Sequence, residues 1–81
     1  MARVHLLGDL RSRCGDLETL EVDAPNVRSL IDALEERCPE LIEVGLRSMS
    51  VAIDGEVMTN ADFESIGPDT EIHFLSALSG G

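Results

Sequence analysis

Few residues in this 81-residue chain belong to types that do chemistry, and most of those are arranged against it. The two histidines, His5 and His73, fall in the first and last strand-like segments. A third ligand is missing for a metal site, so two neighbouring surface imidazoles are expected instead. Cys14 and Cys38 form no C-x-x-C motif. They could in principle pair, but in an acidic chain without an export signal they read as free thiols in a reducing compartment, with Cys38 on a core stripe. The 16 acidic residues are scattered rather than set in a calcium-loop pattern, and Gly8 and Gly15 are spaced wrongly for a phosphate-binding loop. That leaves the final pair, Gly80-Gly81. A terminal carboxylate is a poor electrophile, but once adenylated it becomes an acyl donor open to sulfide or another nucleophile. Glycine suits its delivery, because two residues without side chains can thread a narrow channel and be gripped along the backbone. Frayed tails and cloning scars also end in glycines, so the pair gains meaning only from what carries it.

The carrier must be small. One domain is expected over residues 1–75, followed by a tail of Ser76, Ala77, Leu78, Ser79, Gly80 and Gly81. Those six residues reach roughly 20 Å when extended. They have no apolar periodicity and no ring to stiffen them, so the tail is expected to be mobile. Within the domain, residues 3–7 alternate as a half-buried strand with Val4 and Leu6 inside, and residues 19–23 repeat the pattern with Leu20 and Val22. Gly15 and Asp16 lie between them, which suggests an opening hairpin. Asn26 can cap a helix whose stripe is Val27, Leu30, Ile31, Leu34 and Cys38, and Pro39 stops it. Residues 40–48 are ambiguous, with a further helical turn and a loop around Gly45 as one reading. Residues 49–54 read as a central strand ending in the Asp54-Gly55 turn signal. A loop over residues 60–69 is expected to bury Phe63 and Ile66. The last strand follows, with Ile72 and Phe74 inward and Glu71, His73 and Leu75 outward. One amphipathic helix thus covers one face of a mixed sheet, an α+β arrangement.

Composition narrows the partners. With no Trp or Tyr and only Phe63 and Phe74, the core is aliphatic and there is no aromatic platform for nucleic acid. A formal charge of −10 repels phosphate backbones and anionic membranes alike. No apolar run approaches the ~18 residues of a membrane span. A cytoplasmic protein with basic or neutral protein partners is expected. All six basic residues are arginines.

The whole chain resembles the small subunit of molybdopterin synthase and its sulfur-carrier relatives, including the thiamine sulfur carrier. The matching stations are the opening strand with Leu10-Arg11 and Gly15, the helix from Val27 to Leu34, Val51-Ala52-Ile53-Asp54-Gly55-Glu56, the turn and strand from Gly67 to Phe74, and Ser79-Gly80-Gly81. The proline common in that family's final segment is absent here. The resemblance implies a ubiquitin-like β-grasp fold with no independent active site and no stably bound cofactor. It also implies a partner of the ubiquitin-activating type that spends ATP to adenylate Gly81, which then becomes a thiocarboxylate. Sulfur would pass to the large molybdopterin synthase subunit or another acceptor enzyme. By the same resemblance Leu7 and Leu75 meet the partner enzymes, and Leu78 anchors the tail.

Two other readings stay open. A ubiquitin-like modifier would use the same activation chemistry to join Gly81 to target amines. A phage tail-assembly protein shares an opening like Leu7-Gly8-Asp9-Leu10 but continues into a Gly-rich extension. The absence of lysine favours a carrier over a chain-forming modifier, since an activated C-terminus then meets no side-chain amine on its own surface. Compositional drift toward arginine would leave the same mark.

Overall fold

The computed structural model describes residues 1–6, 8–59 and 61–75. Strand β1 (Ala2–His5) buries Ala2 and Val4, and β2 (Thr19–Val22) buries Leu20 and Val22. The two pair antiparallel with Val4 opposite Leu20. Their connection is more than the hairpin loop suggested by Gly15 and Asp16. A short helix, α1 (Asp9–Arg13), follows Gly8 and puts Leu10 into the core. Five residues are too few for a helical period to show against the surrounding loop signals.

Helix α2 (Val27–Arg37) forms where the apolar spacing places it, burying Val27, Leu30, Ile31 and Leu34. Asn26 Oδ1 accepts the Ser29 N–H at 2.8 Å, so the expected cap is present. Two further orphan donors of the first turn, the N–H groups of Val27 and Arg28, reach the carbonyls of Glu64 and Asp62. That tie corrects the reading of Phe63. Ile66 is buried as expected, but Phe63 is 78% exposed, because the backbone on both sides of it is held against the helix end while its side chain turns to solvent.

After Pro39 the ambiguous stretch resolves into two 3-10 helices, Pro39–Val44 and Leu46–Ser48, divided by Gly45 at φ 77° and burying Leu41 and Leu46. Strand β3 (Ser50–Ile53) then turns through Asp54 and Gly55, whose φ values of 51° and 90° have the signs a type I′ turn requires. The turn leads into β4 (Glu56–Met58), a return strand too short to betray itself by alternation. β5 (Glu71–Leu75) completes a sheet of order β2-β1-β5-β3-β4. β1 and β5 run parallel and the other pairs antiparallel. The central strand is therefore β5, and β3 is interior but one place from the edge. Ile72 and Phe74 face the core as expected, as do the other described apolar residues of the alternating and helical patterns, except that Cys38, Met49 and Ile53 are only half-buried.

Gly8 is the one place where the backbone demands glycine for the chain to turn into α1. Its φ of 54° and ψ of −122° lie outside the left-handed region open to other residues, although a Cβ there would meet nothing within 4 Å. Gly8→Ala should therefore cost about 1–2 kcal/mol through conformation alone. Gly67→Ala, whose Cβ would lie in ordinary contact 3.6 Å from Thr70 Oγ1, should cost under about 0.5 kcal/mol. Urea midpoints of the two variants check the contrast.

Candidate functional site

The described residues end with the central strand. Leu75, half-buried, is the last residue of β5 and lies opposite Ser50 of β3. A groove of about 340 Å³ opens beside it, lined by Gly8, Asp9, Leu10, Val44, Met49, Phe74 and Leu75. Whatever follows residue 75 thus leaves from the middle of the sheet, at a site with apolar walls. Leu7, Ser76, Ala77, Leu78, Ser79, Gly80 and Gly81 lie outside the described residues, so the structure places only Leu75 of the predicted site.

The open face of the sheet faces away from α2. Register aligns one row across all five strands: Thr19, His5, His73, Ala52 and Val57. The two imidazoles stack with ring centres 4.3 Å apart and planes 4° from parallel, and His5 Nε2 lies 2.8 Å from Glu71 Oε1. The sequence reading of neighbouring histidines on the outward face holds. Among the described residues, no group of three or more His, Cys, Asp or Glu is placed to hold a metal ion. Val57 is exposed and Ala52 is covered, so the row runs from polar at β2 to apolar at β4. Sequence reasoning missed Val57 because it missed β4. Also among the described residues, no helix is long and apolar enough to cross a membrane.

The thiols come together at the ends of the two α-helices. Cys14 follows α1 and Cys38 follows α2, each as the residue that ends its helix. Both are free, Cys14 buried and Cys38 half-buried, with Cys38 only partly packed on the core it was expected to join. Burial, and after it the hydrogen bond with Cys38, pushes the Cys14 thiol up from 9.0 to about 12.

The sequence model of the ThiS family matches residues 4–81, nearly the whole chain. The chain belongs to the ThiS family. Its five-stranded mixed sheet with one main helix is the β-grasp, ubiquitin-like architecture that the resemblance implied. Among solved structures, a chain of the Amycolatopsis orientalis BexX/CysO complex superposes with a TM-score of 0.82 at 21% identity, covering 100% of both chains. Small archaeal modifier protein 1 from Methanosarcina acetivorans gives a TM-score of 0.82 at 22% identity over 99% of this chain and 95% of its own. The protein of that name from Haloferax volcanii gives 0.72 at 21% identity over 99% and 98%. At these identities the likeness is one of fold. No curated protein matches this ThiS-family chain in sequence.

The raised Cys14 thiol carries a pH signature with a definite sign. Between pH 9 and about 12 the folded protein keeps a proton that the unfolded chain releases, so stability falls as pH rises through that window. Replacing Cys14 with Ala should remove that slope, which is at most about 1.4 kcal/mol per pH unit for one group. Urea midpoints under reducing conditions at pH 8 and pH 10, wild type against variant, measure it; parallel profiles would show that Cys14 is not held protonated.

Proposed function

We propose that this ThiS-family protein carries sulfur on the carboxylate of Gly81. An adenylating enzyme of the ubiquitin-activating type would join that carboxylate to the AMP moiety of ATP, releasing pyrophosphate. Sulfide sulfur then attacks the acyl carbon, AMP leaves, and a thiocarboxylate remains. The observation that carries the reading is the family match running through Gly80-Gly81 on a β-grasp domain whose central strand, β5, ends at Leu75. The domain supplies a rigid handle, and residues 76–81 supply up to roughly 20 Å of reach. The open face beside Leu75 is the surface that partner enzymes would grip, with Leu7 and Leu75 as its apolar contacts and Leu78 seating the tail. The acceptor we favour is a large molybdopterin synthase subunit, which would place the protein in molybdenum cofactor synthesis. ATP would be consumed on the partner, and this chain would hold no cofactor of its own.

The second reading, a protein modifier, is favoured by the fold shared with two small archaeal modifier proteins. The absence of lysine weighs against chains of this protein joined to one another, while leaving attachment to other proteins open.

Incubation with the activating enzyme, ATP and a sulfur source, followed by intact-mass spectrometry, should show a gain of about 16 Da as sulfur replaces oxygen. Deleting Gly81 should abolish the gain and leave the urea midpoint unchanged, because the core is built from residues before it. An unmodified full-length protein, or a truncated one modified equally well, would overturn the assignment. Covalent adducts to other proteins that survive reductant would favour the modifier.

Leu75→Asp should act differently. It leaves the reactive group in place but should raise the concentration of activating enzyme needed for half-maximal modification about tenfold or more. An unchanged requirement would remove Leu75 from the contact surface.

A further inference from the structure

Two helices that share no strand and no sequence motif end on the same spot, and each ends on a cysteine. Cys14 caps α1 and Cys38 caps α2, 24 residues apart in sequence, with their sulfurs 2.7 Å from each other. That separation lies inside van der Waals contact, and less than 1 Å of movement would bring the atoms to the ~2.05 Å of a disulfide bond. The Cys38 Sγ also lies 3.3 Å from the Arg13 carbonyl oxygen, so its one proton can go to that carbonyl rather than stand between the sulfurs. The approach is not made by chance packing at a surface. Both backbones are fixed: the Cys14 N–H reaches the Leu10 and Arg11 carbonyls and the Cys38 N–H reaches the Leu34 carbonyl.

The pair is also reachable. Cys14 is 7% exposed, but Cys38 is half-buried and borders an open groove of about 310 Å³ whose rim includes Arg13, Arg37 and Glu40. On a chain of net charge −10 the rim carries Arg37 and Arg13, the latter paired with Asp9, beside Glu40, so the local charge is close to balanced and a small disulfide reagent is not turned away.

We infer that Cys14 and Cys38 are a redox site, converted to an intramolecular disulfide by exchange with a low-molecular-weight disulfide. In the first step the Cys38 thiolate attacks one sulfur of the reagent, forming a mixed disulfide and releasing one reagent thiol. In the second, Cys14 gives up its proton to solvent and attacks the Cys38 sulfur, forming the internal bond and releasing the second reagent thiol. In sum the protein loses two protons, one from each cysteine by way of solvent, and two electrons, and the reagent disulfide gains two of each as it becomes two thiols. The elevated Cys14 pKa slows the second step, but the attacking sulfur is already in place and the step is intramolecular. The bond would staple the end of α1 to the end of α2, and neither cysteine belongs to the row of residues across the open face, so oxidation would stabilise the domain without changing that row.

The test uses the full chain and oxidised glutathione. Intact mass should fall by about 2 Da with no lasting glutathione adduct, and dithiothreitol should reverse the change. Tryptic mapping should join the peptide 14–28 to the peptide 38–47, which the arginine positions release cleanly. The melting temperature should rise by about 10 °C or more over the reduced form. Cys14→Ser should instead accumulate a stable adduct of about 305 Da on Cys38, since the second step is lost. A wild-type protein that keeps the adduct, that links to a second copy through either cysteine, or that keeps both thiols in oxidised glutathione would overturn the inference. Because the wild-type mass decides, the result stands even if the variant fails to fold, and it is independent of any chemistry at Gly81.

Discussion

The structure depends on one strand being held from both sides. β5 pairs parallel with β1 and antiparallel with β3, setting Ile72 beside Val4 on one side and beside Ile53 on the other, with Val4 and Ile72 both fully buried. Side chains alternate across a sheet with a period of two, so a shift of one residue would turn Ile72 and Phe74 to solvent and bring Glu71 and His73 into an aliphatic core. Register is thus fixed by burial, and it fixes in turn which residues reach the open face. The stacking of His5 on His73 and the position of Leu75 at the sheet's exit follow from the same pairing.

The parts of this fold that were legible in the sequence are those whose burial repeats often enough to form a pattern. Helix α2 shows four buried residues at helical spacing, a side-chain cap and a proline stop, and the outer strands of the chain show strict alternation. α1 and β4, with five and three residues, are too short for their periods to repeat and were hidden in segments that read as turns. Asp54-Gly55 announced its turn by backbone chemistry alone, yet the strand beyond it has a burial pattern of mostly exposed residues. Phe63 misled because residue type is a guide to burial only when the backbone is free to turn the side chain inward. Here the carbonyls of Asp62 and Glu64 are committed to the start of α2. A pairing of Cys14 with Cys38 was open in principle from the sequence, but their approach rests on α1, because it is the end of that helix that brings the first thiol to the second.

Arg47 pairs with Asp32 and Glu35, Arg13 with Asp9 and Arg11 with Glu18, so three of the six arginines sit within the acidic field rather than apart from it. Such exposed pairs contribute little to stability. Their larger effect is on encounter, since a surface with few free cations and a net charge of −10 draws in basic partners and turns away others of its own kind.

The parallel pairing of β1 with β5 has a kinetic side. Arg3 must find Glu71, with nearly the whole domain between them, before the middle of the sheet exists. Contacts this distant in sequence are entropically costly to close, and they place the domain toward the slow end for its size. They also leave no stable halfway house: without β5, the β1–β2 and β3–β4 pairs share no edge, and two isolated hairpin-like pairs are marginal in water. The domain therefore assembles in one cooperative step, and a protease nick anywhere between its first and last strands severs the connection that closes the sheet.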